Sequence, residues 1–179
     1  TDEQDDEYAR LESRLRWIPL EPADRMATAF GDALKAAELR SLQKYEIDSV
    51  LVWPRLWLLL PEAARAEVRD ARAALDADAG LFLWGAMFIV WGNWNWIAVP
   101  IGLLVCLFAY KSMIGDAWTY GDIVESVFDL YRMKIYEALR LPLPITPADE
   151  REKGKQLTKY ILRGSDLDTV RFVKTNGSE

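Results

Sequence analysis

A run of uncharged residues in the middle of the chain constrains the fold more than any other feature. From Ala79 to Tyr110 the chain has 32 consecutive residues without a charged side chain. A helix that crosses a bilayer needs about 20 apolar residues. The run is therefore too long for one ordinary span and too short for two, and its arrangement determines the architecture.

Three membrane arrangements of this run can be compared. A single continuous helix would be about 48 Å long, and it would place Gly92, Asn93 and Asn95 in mid-membrane, where amides without hydrogen-bond partners are costly. A hairpin avoids this cost because the polar residues form its turn. In the third arrangement only the stretch from Trp96 to Ile114 crosses the bilayer, and the preceding residues lie in the interface. Span length favours the hairpin over this single span.

The hairpin has a first arm from about Ala79 to Trp91, a turn of sequence GNWN and a second arm from about Trp96 to Ile114. Gly-Asn supplies permissive backbone angles for the reversal. Indole rings prefer the headgroup level of a bilayer, and four tryptophans lie in or near the turn: Trp84, Trp91, Trp94 and Trp96. This cluster also argues against a helical hairpin buried in a soluble core. The first arm is only about 20 Å long, so it must begin nearer Leu75 or the bilayer must thin around it.

Small residues on the two arms offer surfaces for close helix contact in lipid. They include Gly85, Gly102, Ala98 and Ala109. Their spacing is not a clean GxxxG, so the pattern predicts contact between helices without predicting a specific dimer.

The charges around the run predict its orientation. Lys and Arg mark the cytoplasmic side of a span, and Arg65, Arg69 and Arg72 precede the hairpin while Lys111 follows it. The acidic start, TDEQDDEY, is unlike a signal or transit peptide. We therefore expect a multi-pass protein of the cell inner membrane with both termini cytoplasmic. Asp76 and Asp78 are expected at the headgroup level.

Amphipathic helices are predicted on the N-terminal side of the run. The patterns indicate helices over Asp5–Trp17 and Ala23–Tyr45, and a third that begins at Pro61 and continues into the apolar run. Between them, Val50–Pro61 is too short to span a bilayer, and Pro54 discourages a straight helix. Its Trp53 and Trp57 favour a segment at the membrane interface over a buried connector.

Two further helices are predicted after the run. The first, roughly Gly121 to Leu139, has an apolar face formed by Phe128, Tyr131, Ile135 and Leu139, which we expect to bind a partner. The second follows Thr146, a candidate N-cap with Pro147 at the first helical position, and ends at Gly164. Residues from Ser165 onward form an extended tail.

The predicted fold is therefore all-α, an integral membrane hairpin with amphipathic cytoplasmic helices on both sides. Its parts are N-terminal helices over 1–49, an interfacial segment and membrane-entering helix over 50–78, the two-arm hairpin over 79–114 with its Trp-rich turn at 92–96, C-terminal helices over 115–164 and the tail over 165–179.

The block from Tyr120 to Gly164 carries YGD, FDLYR, YEALRLPLP and LTKYILRG in order. It resembles the cytoplasmic tail of small, uncharacterised bacterial membrane proteins. The resemblance covers about a quarter of the chain. It implies a bacterial membrane protein and carries no activity or site.

Composition argues against catalysis and nucleic-acid binding. The chain has no histidine and one cysteine, Cys106, which removes the usual general base and the usual zinc and haem ligands. No nucleotide-binding, hydrolase or metalloprotease motif is present. A net charge of −6 repels nucleic acid. We expect no cofactor and no metal, since Glu125 and Asp129, one helical turn apart, are too few ligands and are expected to be exposed.

Three classes of function follow, in this order. The first is a structural or accessory subunit of a membrane complex, which docks on other membrane subunits or on copies of itself through its hairpin and recruits through its cytoplasmic helices. The second is a homo-oligomeric pore formed by the hairpin. The third is a membrane-bound enzyme that uses carboxylates such as Asp76, Asp78, Glu125 and Asp129. This class is the weakest because the chain lacks histidine, the usual general base.

Overall fold

The regular elements that the structure describes are helices. The structure, a computed structural model, describes residues 16–19 and 21–164, and within this part of the chain there is no β-strand, which confirms the all-α prediction. The described residues form five α-helices: α1 (Ala29–Tyr45), α2 (Ser49–Leu59), α3 (Glu62–Val90), α4 (Ala98–Ala138) and α5 (Pro147–Arg163). Short 3-10 turns lie at Pro22–Asp24 and Trp91–Asn93. The predicted helix over 5–17 falls almost wholly outside the described residues, and the extended tail from Ser165 lies entirely outside them.

The chain divides into two compact units. The first, here called the hairpin unit, comprises Thr1–Ala36 and Ala66–Ile123; the second, the tail unit, comprises Ala37–Arg65 and Val124–Glu179. Each unit has its own buried side chains. In the hairpin unit a cluster forms from Ala33, Leu75, Met113 and Ala117, and Trp17 stacks on Trp118 with ring centroids 6.1 Å apart.

Helix α1 begins later than its amphipathic pattern suggested. The prediction placed its start at Ala23, but the helix starts at Ala29. The Thr28 hydroxyl accepts a hydrogen bond from the Gly31 N–H at 3.1 Å, and the Asp32 carboxylate accepts one from the Met26 N–H at 2.7 Å. The first bond satisfies a donor that the helix start leaves without a partner, and the second holds the preceding chain against the first turn, so the chain enters the helix after Thr28.

Helix α2 forms despite Pro54, which was expected to discourage it. Asp48 caps the helix by accepting a hydrogen bond from the Leu51 N–H at 3.2 Å. Val52 and Leu56 on its inner face are fully buried. Burial of two large side chains stabilises by roughly 1.5–3 kcal/mol each, enough to offset the backbone hydrogen bond that a mid-helix proline removes.

Helix α3 runs without a break from Glu62 into the apolar run, as predicted. Helix α4 differs from the prediction, because the second hairpin arm and the amphipathic helix after it form one helix of 41 residues. No proline lies between Pro100 and Pro142, and Gly115 is tolerated within the helix. Pro100 lies in the first turn of α4, where a missing N–H does little harm.

Helix α5 matches its predicted boundaries closely. The Thr146 hydroxyl accepts from the Asp149 N–H at 3.2 Å, while the Asp149 carboxylate accepts from the Ile145 N–H at 2.9 Å. Gly164 ends the helix with a φ of 64°, which an L side chain rarely adopts. Gly154 lies within this helix and is buried.

Candidate functional site

The turn between α3 and α4 reverses the chain through backbone and side-chain caps. Trp91 begins a short 3-10 turn, and its carbonyl oxygen accepts from the N–H groups of Trp94 and Asn95 at 2.9 and 3.1 Å. The side-chain oxygen of Asn95 accepts a hydrogen bond from the Ile97 N–H at 3.1 Å. The backbone carbonyl of Asn95 accepts one from the Ala98 N–H at 3.0 Å. Donors at the start of α4 are thereby satisfied inside the turn.

Glycine is needed at position 92 for space. The prediction attributed the Gly-Asn reversal to permissive backbone angles, but among the described glycines only Gly164 has a positive φ. A Cβ on Gly92 would overlap the Val99 side chain across the turn. The reversal is therefore tight because the two arms meet directly behind it.

The arms stay in contact away from the turn through the small residues that the sequence singled out. A Cβ on Gly102 would lie 2.8 Å from the Gly85 carbonyl oxygen, and one on Gly85 would lie 2.9 Å from the Cys106 sulfur. Ala98 and Ala109 are buried. These four residues occupy helix-contact positions within the hairpin unit, and their role in lipid remains a prediction.

Substitution of Gly102 tests this contact. Gly102→Val places a branched side chain against the α3 backbone at Gly85, so the arms must separate. We expect a loss of about 1–3 kcal/mol, in the range of overpacked cores, measured as a lower thermal unfolding midpoint in detergent. Gly80→Ala is the control, because a Cβ at Gly80 meets nothing within 4 Å, and equal midpoints for the two variants would contradict the close contact.

The outward faces of the arms are apolar and exposed. Both α3 and α4 are long and apolar enough to cross a membrane by length and composition. Only 11% and 22% of their most apolar stretches are buried within the chain. The four turn tryptophans are among the most exposed large side chains, with Trp94 at 83%. Large exposed apolar surface of this kind marks an interaction site on a protein.

Carboxylates lie at the end of the hairpin opposite the turn. Asp76 on α3 pairs with Arg72 at 3.2 Å. Asp78 on α3 and Asp116 on α4 approach closely enough to hydrogen bond when one is protonated, and Asp78 Oδ2 is buried without another partner. Burial and the neighbouring Asp78 both raise the pKa of Asp116 above its usual value.

This raised pKa predicts a pH dependence. The folded hairpin binds the Asp116 proton more tightly than the unfolded chain does, so the stability it contributes is complete below the unfolded pKa of about 3.9 and is lost as the pH rises through the folded pKa. We expect the thermal midpoint difference between Asp116→Asn and the parent chain to grow, in favour of the variant, from about pH 4 to pH 7. Asp122→Asn on the same helix is the control, and a pH-independent difference would contradict the raised pKa of Asp116.

In the tail unit, α1 and α4 are joined by charged side chains. Glu125 is 8% exposed and pairs with both Arg40 and Lys44. Asp129 pairs with Lys44 at 3.2 Å and accepts a hydrogen bond from the Tyr45 hydroxyl at 2.6 Å. Burial opposes the charge of Lys44, but its hydrogen bonds to the two carboxylates outweigh burial and raise its pKa.

The expectation that Glu125 is exposed is therefore wrong, since Glu125 is buried. Asp129 is partly exposed and is bound by Lys44 and Tyr45. The spacing of these residues in the sequence indicated the pairing. Glu125 and Asp129 are four residues apart on α4, and Arg40 and Lys44 are four residues apart on α1. Where the two helices are in contact, this equal spacing allows Arg40 to pair with Glu125 and Lys44 to pair with Asp129.

A second charged contact joins α4 to α5 within the tail unit. Arg132 pairs with Glu150, which is buried, and its guanidinium stacks over the Tyr45 ring at 4.1 Å. Tyr136 lies nearby in electrostatic range of Glu150 and Arg132, and burial raises its pKa. The tail unit is therefore stabilised by contacts between charged side chains in addition to apolar packing.

The apolar face predicted to bind a partner is instead largely internal. Phe128 and Ile135 are each 1% exposed, and Tyr131 and Leu139 are half-buried. The Trp53 ring packs on Phe128 with centroids 6.0 Å apart. That expectation is corrected for Phe128 and Ile135, because α2 and neighbouring elements of the tail unit already cover them.

The interfacial prediction for α2 concerned Trp53 and Trp57, which pack against each other and are both half-buried. Among the topology-setting cations, Arg65 donates to the Leu60 carbonyl at 3.0 Å, and Arg69 and Lys111 are exposed. Arg72 is held by Asp76, as described above. Their roles at a membrane remain predictions.

The described residues contain no group of three or more His, Cys, Asp or Glu side chains that could hold a metal ion. Among the residues that the structure describes, the exposed apolar hairpin has the size and chemistry of a functional surface. Comparison with known proteins adds no relative, since no protein-family model, curated protein or solved structure matches the chain.

Proposed function

We propose that the chain is a non-catalytic integral membrane protein that acts as a structural or accessory subunit of a membrane complex. Its α3–α4 hairpin enters the bilayer, and its other helices remain in the cytoplasm. The observation that carries the proposal is the exposure of the apolar stretches of both arms. A core helix in a soluble protein buries such residues, whereas these arms bury little within the chain and need a lipid or protein environment.

The orientation is proposed from charge. The turn contains no charged residue, whereas Arg65, Arg69, Arg72 and Lys111 flank the opposite end of the hairpin. Lys and Arg favour the cytoplasmic side, so both termini are cytoplasmic in the inner membrane and the tryptophan turn faces outward. Asn95→Cys in a Cys106→Ser background tests this, because a membrane-impermeant maleimide added to intact cells labels only an outward turn.

The subunit role depends on apolar side chains that are exposed, which Phe128 and Ile135 are not. In the tail unit the exposed ones include Val50, Leu58, Leu130, Ile145 and Leu162, which are each more than half exposed. These side chains replace Phe128 and Ile135 as candidates for a recruiting surface. The pore alternative has less support, since Asn95, one of two amides available for a polar ring, is engaged in capping the turn.

Extraction from the native membrane tests the proposal. The intact complex is isolated in mild detergent, and its mass and composition are measured. A heteromeric complex supports the subunit role and identifies the partner. A stable, monomeric and partnerless protein contradicts it, while a homo-oligomer with ion flux in liposomes would establish the pore instead.

A further inference from the structure

The length of the apolar surface on the hairpin is defined independently by its two arms. On α3 it runs from Ala79, after Asp78, to the end of the helix at Val90. These 12 residues span about 18 Å, and the 3-10 turn that follows adds about 6 Å. The first arm therefore offers about 24 Å between its last carboxylate and the polar turn.

The second arm gives a similar value. Helix α4 begins at Ala98, and Lys111 is its first charged residue. The 13 residues between the helix start and Lys111 span about 20 Å. Because lysine can extend its ammonium group toward water, the apolar surface continues past Lys111 to Asp116. The 18 residues from Ala98 to Gly115 span about 27 Å.

The two arms are in register, so these limits fall at the same ends of the hairpin. Val99 lies beside Gly92 next to the turn, Ile89 lies beside Gly102, and Cys106 lies beside Gly85. At the opposite end the carboxyls of Asp78 and Asp116 approach each other. At the turn end the exposed side chains are those of Trp94 and Trp96. The apolar surface of the hairpin therefore forms a single band between these indole rings and the two carboxyls at the opposite end.

This band is shorter than the membrane it would cross. The hydrocarbon core of a typical bilayer is about 30 Å thick, which exceeds this band of about 24–27 Å by about 3–6 Å. Tilting the hairpin would reduce its reach further. A short span adapts by thinning the bilayer, by extension of flanking side chains toward water, or by association. The short carboxylate side chains of Asp78 and Asp116 allow little extension of this kind.

We infer that the hairpin is matched to a thin bilayer, built from lipids with short acyl chains, and that it thins thicker bilayers around itself. The inference rests on the proposed membrane insertion. It adds the class of lipid that the apolar surface selects, and it assigns a structural cause, the distance from the Asp78–Asp116 pair to the tryptophan turn.

Lipid selection can be measured with the full chain in vesicles. The probes are phosphatidylcholines with monounsaturated chains of fourteen, eighteen or twenty-two carbons, mixed pairwise with one member brominated. Quenching of tryptophan fluorescence by the brominated lipid reports its share of the lipid in contact with the hairpin. We expect the shortest lipid to be preferred over the longest by about threefold or more.

A variant with a longer apolar band tests the structural cause. Asp78→Leu combined with Asp116→Leu removes the carboxyl pair from the base, so the preference should shift toward the longer chains. Glu67→Leu combined with Asp70→Leu is the matched control, because it removes two exposed carboxylates from α3 well before the apolar run. This control should keep the preference of the parent chain.

The outcomes separate the inference from the proposed function. Quenching that is independent of chain length, or strongest with the longest chains, overturns the inference and leaves membrane insertion intact. Absence of quenching in every lipid overturns both. A parent chain that prefers short lipids, with a shift confined to the carboxyl-pair variant, supports the thin-bilayer match and its cause.

Discussion

Glu125→Gln should destabilise the protein by about 3–5 kcal/mol, the range measured when one partner of a buried ion pair is removed. Glutamine keeps nearly the same shape but cannot balance the charge of Arg40, whose side chain is 8% exposed. It also removes a charged partner of Lys44. The expected result is a lower thermal unfolding midpoint in detergent, with the loss of stability centred on the tail unit.

Asp122→Asn provides the matched control for this prediction. Asp122 lies on α4 one turn before Glu125, and its pair with Arg16 is 3.5 Å long and about half exposed on both sides. Exposed pairs contribute about 0–1 kcal/mol, so this variant should unfold close to the parent chain. If the two variants destabilised equally, burial would not be the reason that Glu125 matters.

The structure also shows which features the sequence could predict. The start and end of α5 were predictable because Thr146, Pro147 and Gly164 act through local backbone chemistry. The same holds for the polar turn between the arms and for the helix that begins after Pro61. Each of these signals depends on residues only a few positions apart, so no knowledge of the tertiary fold is needed to read it.

Features that depend on distant residues were missed. Periodicity shows that Phe128 and Ile135 share an apolar face, but it does not show whether that face meets a partner or the chain's own α2. Glu125 looked exposed because Arg40, its buried partner on α1, lies 85 residues away in the sequence. The close contact of Gly154 with the Tyr45 backbone was also missed, because neighbouring residues do not show which distant element packs against a helix.

Gly154→Ala is the second change with a large expected effect. A Cβ on Gly154 would overlap the carbonyl oxygen of Tyr45, the last residue of α1, and would lie 3.1 Å from an Ile47 side-chain carbon. A flexible side chain could move aside, but a backbone carbonyl at a helix end cannot do so without displacing the helix. We expect α5 to shift away from α1 and a loss of about 2–3 kcal/mol, at the upper end for overpacked sites.

The loss from Gly154→Ala should occur even though alanine favours helix over glycine. That preference amounts to about 1 kcal/mol per residue, so the same substitution at an open helical position should stabilise. Gly115→Ala supplies this comparison, because Gly115 lies inside α4 and a Cβ there meets nothing within 4 Å. Thermal midpoints should therefore move in opposite directions, down for Gly154→Ala and up for Gly115→Ala. A rise for both would mean that intrinsic helix preference outweighs the contact between α5 and the end of α1, and that α5 is not closely packed there.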